Sequence, residues 1–420
     1  MFKTKGIFAI VGLITFFAIL SVGFGVSHNL RTMGTILVGG IAFLLMTISM
    51  VLSTRFGWLE DWFGGLDRTY QVHKYSGLIA ALTVAIHYLT VSEDELSLLL
   101  EGGVDALRPS APVGMYAMIL MLLGTVLAFS RKLLRYSQWR PTHKIMALVY
   151  VLAVVHIVTM PTEFFSLASP AGVLIALGGV AGLLSGVYAV FVMKRVTARS
   201  YVVEAVNRLE RTTELVLKPK SQMLRFHPGQ FAFIEVQGKG WNEPHPFTIA
   251  SAPGENSLRF AVKALGDWTQ KLHDELQPGS QVIVRGPYGR FDTSATDKKQ
   301  VWIAGGIGVT PFLSKLRAMT PDDLWQIHFF YAVRSTKEAL YLDELLQRVA
   351  VLRTVTMTVL NSEHNQRLSF ETVQESLPEN MRNYGFFMCG PRPMVSALSK
   401  ALRGHGVRYR DIHAEAFEFR

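Results

Sequence analysis

The sequence predicts a multidomain α plus α/β membrane protein. It divides into a six-helix transmembrane bundle (residues 1–197), an antiparallel β-barrel (198–297) and a doubly wound parallel α/β domain (298–420). Three observations predict this. The chain of 420 residues is 50% hydrophobic with a mean hydropathy of +0.26, and the excess apolarity lies in the first 193 residues. From Tyr201 the pattern becomes short strands separated by turn signals. From Gln300 strands alternate with helices, and a glycine loop follows the first strand.

The bundle rests on six long apolar runs, Ile7–Val26, Met33–Thr54, Tyr75–Val91, Pro112–Ser130, Ile145–Met160 and Ala168–Met193. About 20 apolar residues cross a bilayer as helix. The third and fifth runs reach that length only if their helices start at the histidines preceding them. The basic start MFKTK is not read as a signal peptide, because the following run is too long for a signal core and no small-residue cleavage site is clear. Lys3 and Lys5, the basic loop RKLLRYSQWR, and Lys194 with Arg195 mark one side of the membrane. The acidic loop SEDELSLLLEGGVD marks the other. The positive-inside rule therefore puts both termini in the cytoplasm of a multi-pass protein, read as one of a bacterial inner membrane.

The net charge of +10 needs no nucleic acid, since basic inner loops explain part of it and there is no basic low-complexity arm. The single cysteine, Cys389, excludes an internal disulfide and a thiolate-held iron–sulfur cluster. An electron carrier in this chain is organic or haem.

Ionisable residues inside a membrane are costly and mark function. The third span, VHKYSGLIAALTVAIH, holds His73 and His87, and the fifth, THKIMALVYVLAVVH, holds His143 and His156. Each has a His-Lys pair at its cytoplasmic end and a second histidine near the outer end. The fourteen residues from His73 to His87 span about 21 Å of helix and return to within about 40° of one face. Two helices with histidines at two matched depths make two bis-histidine sites, and axial imidazole is a standard way to hold haem iron. The thirteen residues from His143 to His156 fit less well, about 140° out of phase on an ideal helix. A tight first turn after Pro141 recovers part of that angle. Buried histidines bonded to carbonyls, or a proton relay, are the blander alternatives. His28 lies outside the pattern and reads as interfacial.

The stretches FGGLDRTYQVHKYSG and YSQWRPTHKIMALVYVLAVVH resemble the ferric reductase-like transmembrane domain shared by NADPH oxidases and ferric reductases. The resemblance, to bacterial members of this transmembrane flavocytochrome b family, covers nearly the whole chain. It implies a haem bundle, an FAD-binding barrel and an NAD(P)H-binding domain. In the barrel, HPFTIASAPG is similar to the segment meeting the flavin and ribityl chain, which implies FAD contacts at His245, Pro246, Phe247, Thr248 and Ser251. VKALGDWTQKL is similar to the pyrophosphate segment, implying Gly266, Trp268 and Thr269. A capped helix with a core tryptophan is the alternative there.

In the last domain GGIGVTPF, with Gly305, Gly306, Gly308, Thr310 and Pro311, is a phosphate-approach loop between strand and helix. Arg334 and Ser335 sit where such reductases contact the adenosine 2′-phosphate, which favours NADPH over NADH. MCGPRPMV resembles the segment beside the nicotinamide, with Cys389, Gly390 and Pro391. Cys389 would position rather than attack, because hydride transfer belongs to the cofactor pair. Phe417, with Phe419 second, matches the terminal aromatic that stacks on the flavin.

The resemblance implies transfer of electrons from NADPH through FAD and two b-type haems to a small acceptor outside. That acceptor is O2 giving superoxide, or a ferric chelate. A donor to a separate extracytoplasmic or quinone-linked partner, and a haem-based sensor without turnover, remain as further classes. No obligatory protein partner is evident.

Overall fold

The computed structural model describes all residues except 1–4, 24–29, 92–109, 131–138, 140–141, 161–164, 239, 242, 295–298 and 417–420. Both charge-marked loops and the aromatic pair Phe417 and Phe419 thus fall largely or wholly outside the described residues. The chain divides into two compact units at Val196/Thr197.

The membrane unit holds α1 (Lys5–Gly23), α2 (Leu30–Leu52), a short α3 (Gly57–Phe63), α4 (Leu66–Thr90), α5 (Ser110–Phe129), α6 (Ile145–Val158) and α7 (Pro170–Val187). A π-helical turn, Tyr188–Val192, and a last turn, Met193–Val196, prolong α7. Long helices apolar on all sides are stable only where lipid or other helices cover them. Large apolar side chains accordingly face outward, among them Phe8, Leu89, Leu177 and Leu184.

Among the described residues, four helices are long and apolar enough to cross a membrane: Lys5–Val22, Met33–Leu52, Ser110–Phe129 and Pro170–Val196. The expected six spans are therefore met by four on length and composition. The two exceptions are the helices that carry His73 and His87 (α4) and His156 (α6). The helix α6 is apolar but has 14 residues, and α4 has 25 residues but contains Asp67, Arg68 and Lys74.

The bundle core is built from Phe17, Phe43, Leu44, Ala80, Met121 and Tyr150. Close approach requires glycines here: a Cβ at Gly40 would collide with Phe17, and one at Gly182 with Tyr150. The Tyr150 hydroxyl lies 2.7 Å from Thr47 Oγ1 and donates to Gly178 O at 3.0 Å, so its polar end is satisfied inside the bundle.

The second unit opens with a six-stranded antiparallel sheet of β1 (Ala198–Leu209), β2 (Thr212–Pro219), β3 (Phe231–Val236), β4 (His245–Thr248), β5 (Leu258–Lys263) and β6 (Gln281–Tyr288). Its order is β4-β3-β6-β1-β2-β5, and its two edges meet at a single bridge, Ile249 to Phe260. The sheet is thus a half-barrel whose edges touch at one point, where the sequence predicts a full barrel. Alternating residues such as Tyr201, Val203, Leu215 and Leu217 fill its interior. Helix α8 (Asp267–Glu275) follows β5 and buries Leu272 against that core.

Five parallel strands follow, β7 (Lys299–Gly305), β8 (Ile327–Val333), β9 (Val355–Asn361), β10 (Tyr384–Gly390) and β11 (Ile412–Ala416), in the order β11-β10-β7-β8-β9. Helices α9 (Thr310–Ala318), α10 (Leu342–Val351), α11 (Phe370–Glu375) and α12 (Arg392–Gly404) cover its faces. Strand β10 is buried at every position, as a parallel strand covered on both faces must be. The strand order reverses direction between β7 and β10, and ligands bind at that switch point in open α/β sheets.

Side chains of α9 and α10 tie this sheet to the barrel. Ser314 Oγ donates to Ser251 O and Arg317 Nη1 to Ala250 O, each at 2.7 Å. Arg317 is held in a two-bond fork by Glu344, at 2.6 and 2.7 Å. The Tyr341 hydroxyl donates to Glu214 Oε1 at 2.8 Å, from a left-handed backbone conformation with φ 59. The carbonyls of the Ala250–Ser251 loop are thereby fixed to the helix that starts at the glycine loop.

Candidate redox cofactor sites

In the membrane unit, His73 on α4 and His143 just before α6 come together with ring centroids 6.0 Å apart and planes at 80°. Two imidazoles sharing one metal ion, with metal–nitrogen bonds of about 2 Å, have centroids about 6 Å apart. His73 Nδ1 lies 2.9 Å from Ser49 O and 3.0 Å from Ser49 Oγ. His87 Nδ1 is 3.0 Å from Thr35 O, and His156 Nδ1 is 2.7 Å from Ser110 O. A carbonyl only accepts, so the proton sits on Nδ1 in all three and Nε2 keeps its lone pair. This is the arrangement that orients a metal-bound histidine. Thr35 and Ser49 on α2 are fourteen residues apart, the same spacing as His87 and His73 on the neighbouring antiparallel α4.

His143 differs. Its Nδ1 is buried without a hydrogen-bond partner, and its ring stacks on Trp139 at 5.0 Å and 15°. The helix is broken at Lys144, the N-cap of α6, and Ala147 N donates to Lys144 O in a tight i+3 turn. The thirteen-residue phase misfit follows from that break, since His143 and His156 do not share one uninterrupted helix. None of these partner carbonyls or stacking groups was readable from the sequence, because backbone acceptors carry no residue signature.

In the barrel, His245 and Phe247 on β4 stack on Trp268 at the start of α8, at 4.2 Å and 6.0 Å. Trp241, which sequence reasoning missed, meets Trp268 edge-on at 5.8 Å. Three buried polar atoms in this patch lack a hydrogen-bond partner: His245 Nε2, Thr248 Oγ1 and Trp268 Nε1. Buried polar groups are ordinarily satisfied, so orphans on adjacent elements suit a polar, ring-bearing ligand such as a flavin nucleotide. Pro246 sits within the same strand.

Two residues expected at FAD use their hydroxyls internally. Thr269 Oγ1 accepts from Gly266 N at 3.0 Å and Leu265 N at 2.9 Å, capping α8. Ser251 is buried, and its Oγ accepts from Arg259 N at 3.2 Å. What α8 still offers is its N-terminus at Gly266, with open space around that residue.

Burial lowers the pKa of His245 from 6.5 to about 4. The unfolded chain takes up this proton near pH 6.5 while the folded one resists until about pH 4, so the fold loses stability as pH falls through that interval. His245 is accordingly neutral at pH 7. FAD retention is expected to be flat from about pH 8 to 5 and to fall only towards pH 4. Flavin release on dialysis across this range checks it, and a midpoint near 6.5 would sink it.

At the switch point, Gly305 ends β7, residues Gly306–Val309 form a 3₁₀ turn, and α9 begins at Thr310 with Pro311 in its first turn. The turn presses on the end of β10: a Cβ at Gly308 would collide with Cys389 O, and one at Gly390 would lie 3.0 Å from Gly305 backbone. Pro391 follows as the N-cap of α12. Cys389 is fully buried and pairs with Glu415 of β11. Burial, reinforced by the Glu415 carboxylate, pushes its thiol well up, so it remains a thiol and suits positioning rather than attack. Glu415 was not singled out from sequence; only the β10–β11 register brings it beside Cys389. After β8, Arg334 is exposed, while Ser335 Oγ accepts from Glu338 N at 3.3 Å.

Residues 38–154 match the ferric reductase like transmembrane component, and residues 199–362 match an FAD-binding domain. The chain thus joins a match to a ferric reductase like transmembrane component with a match to an FAD-binding domain. Dual oxidase 1 of Canis lupus familiaris is 25% identical over 356 residues, 68% of this chain and 22% of that protein. A superoxide-generating NADPH oxidase heavy chain of Dictyostelium discoideum is 30% identical over 175 residues, 32% of this chain and 34% of that one. A flavohemoprotein of Oceanobacillus iheyensis is 25% identical over 236 residues, 51% of this chain and 58% of that protein. The chain thus spans about half the length, or less, of these curated relatives. The flavohemoglobin structure from Malassezia yamatoensis shares the fold, with a TM-score of 0.53 at 19% identity over 93% of this chain and 99% of that one.

Proposed function

We propose that this chain is an NAD(P)H oxidoreductase of the ferric reductase- and NADPH oxidase-like family in a bacterial inner membrane, with six spans and cytoplasmic termini. It moves electrons from cytoplasmic NADPH, through FAD and two b-type haems, to O2 on the outer face, giving superoxide. The observation that carries the reading is the facing of His73 and His143 at 6.0 Å, in one chain with an FAD-binding domain. A flavin accepts a hydride and releases electrons singly, and haem iron carries them one at a time.

The chain's own residues bind and orient. His73 and His143 would hold the inner iron, and His87 and His156 the outer one. Serine and threonine carbonyls fix the tautomers of three of these ligands. His245, Phe247, Thr248 and Trp268 would receive the flavin, and the N-terminus of α8 would take its pyrophosphate. Gly305–Gly308 admit the nicotinamide nucleotide, Cys389 and Glu415 border the nicotinamide, and exposed Arg334 meets the 2′-phosphate. With two imidazoles of this chain holding each iron, no position would be left for O2 to bind it, and reduction would be outer-sphere. A ferric chelate fits the same geometry and is the second reading, carried by the ferric reductase-like match over residues 38–154.

The test is a visible spectrum of the purified, FAD-supplemented chain, reduced by NADPH without oxygen and then exposed to air. The expected result is a sharp low-spin haem band that collapses in air, with superoxide formed in proportion to NADPH used. A band that persists in air but vanishes with a ferric chelate assigns the second reading. Absence of any haem band ends both.

A further inference from the structure

The geometry points to Gly39 and Gly114 as positioning residues for the His87/His156 pair, an inference that rests on the haem reading above. A helix poses a steric problem for any imidazole that approaches its backbone. The carbonyl of residue i already accepts from the amide of residue i+4, and the Cβ of i+4 stands beside that oxygen. A side chain from a neighbouring helix reaches the carbonyl only if that Cβ is missing. His87 Nδ1 bonds Thr35 O, and the residue four later is Gly39. A Cβ there would lie 2.8 Å from His87 Cε1 and 2.9 Å from Nδ1. His156 Nδ1 bonds Ser110 O, and the residue four later is Gly114. A Cβ there would lie 2.6 Å from His156 Nδ1 and 2.7 Å from Cε1.

The same device, a hydroxyl residue followed four positions later by glycine, thus occurs on α2 for one ligand and on α5 for the other. It is absent at the inner level for a physical reason. Ser49, the partner of His73, lies in the last turn of α2, where the chain is leaving the helix and the carbonyl is accessible without a glycine. His143 has no carbonyl partner at Nδ1. A methyl group at position 39 or 114 forces the imidazole off its carbonyl. That frees the ring to rotate, and with it the Nε2 direction on which bis-histidine ligation depends. The effect is confined to one of the two levels.

The experiment counts haem per chain in the full-length protein, by pyridine haemochrome, with FAD content measured alongside. Redox titration follows the same samples. The wild type and Gly34→Ala, a site on α2 with nothing within 4 Å of its Cβ, are expected to carry two haems and titrate in two waves. Gly39→Ala and Gly114→Ala are expected to lose about half the haem absorbance and one wave. Each should match His87→Ala in the wave that remains, and combining Gly39→Ala with His87→Ala should cause no further loss. Two haems with unchanged waves in both glycine variants would overturn the assignment. So would loss of both haems from Gly39→Ala where His87→Ala keeps one, since that marks a general packing role. A wild type devoid of haem would instead remove the haem reading itself.

Discussion

Leucine in place of His73 is expected to reduce haem from two to about one per chain, to lower NADPH-driven reduction of the acceptor by more than about 100-fold, and to leave NADPH reduction of the flavin intact. Among the described residues no third metal-ligating side chain stands with the pair to replace the lost imidazole. His73 and His143 stand alone across their 6.0 Å gap, and among the described residues no group of three or more histidine, cysteine, aspartate or glutamate side chains surrounds a point where a metal could sit. Changes one layer out from a metal cost roughly 10–100-fold, so loss of a ligand itself is expected to exceed that range. The second unit has its own cores, built from its own residues. Haem content, the acceptor rate and anaerobic flavin bleaching, measured on one preparation, separate the three effects. Retention of two low-spin haems, or parallel loss of flavin reduction, would sink the assignment of His73 as a ligand.

The histidines were legible because an imidazole inside an apolar run is anomalous wherever it occurs, and because two such runs matched in depth. Their carbonyl partners were not legible, since Thr35, Ser49 and Ser110 act through backbone that every residue possesses. The phase misfit between His143 and His156 was visible as arithmetic. Its cause, the interruption at Lys144, depends on local hydrogen bonding that spacing does not encode. In the soluble half, strand alternation and the glycine loop announced two sheets and a crevice. The internal bonds made by the hydroxyls of Ser251 and Thr269 were not legible. Ser and Thr bond nearby backbone readily, and both do so here. The membrane spans show the same limit from the other side. Composition and length together find long apolar helices; among the described residues α4 falls short through Asp67, Arg68 and Lys74, and α6 through its 14 residues.

Alanine at Gly308 is expected to slow NADPH reduction of the flavin by about 100-fold and to destabilise the soluble half by about 1–3 kcal/mol. Both effects have one cause. The Gly308 Cβ would be driven into Cys389 O and would lie 2.9 Å from Gly390 Cα, and these are backbone atoms of a strand buried at every position. No side chain can rotate away to make room, so either the 3₁₀ turn or the end of β10 has to shift. The turn starts α9, and α9 holds the Ala250 and Ser251 carbonyls through Arg317 and Ser314. A shift at Gly308 is therefore passed to the loop that follows the flavin strand β4, and the two reacting rings lose registry. A displacement of about 1 Å at a reacting centre costs roughly 100-fold. Gly306→Ala is the informative contrast. Its Cβ would meet nothing within 4 Å, but its φ of +53 is left-handed, so the cost of roughly 1–2 kcal/mol falls on backbone strain without displacing β10. Stopped-flow flavin reduction and thermal unfolding of both variants distinguish the two. Comparable losses of stability with a rate defect confined to Gly308→Ala are expected. Equal rate defects in both would mean that the loop's conformation, rather than its contact with Cys389 and Gly390, places the nucleotide.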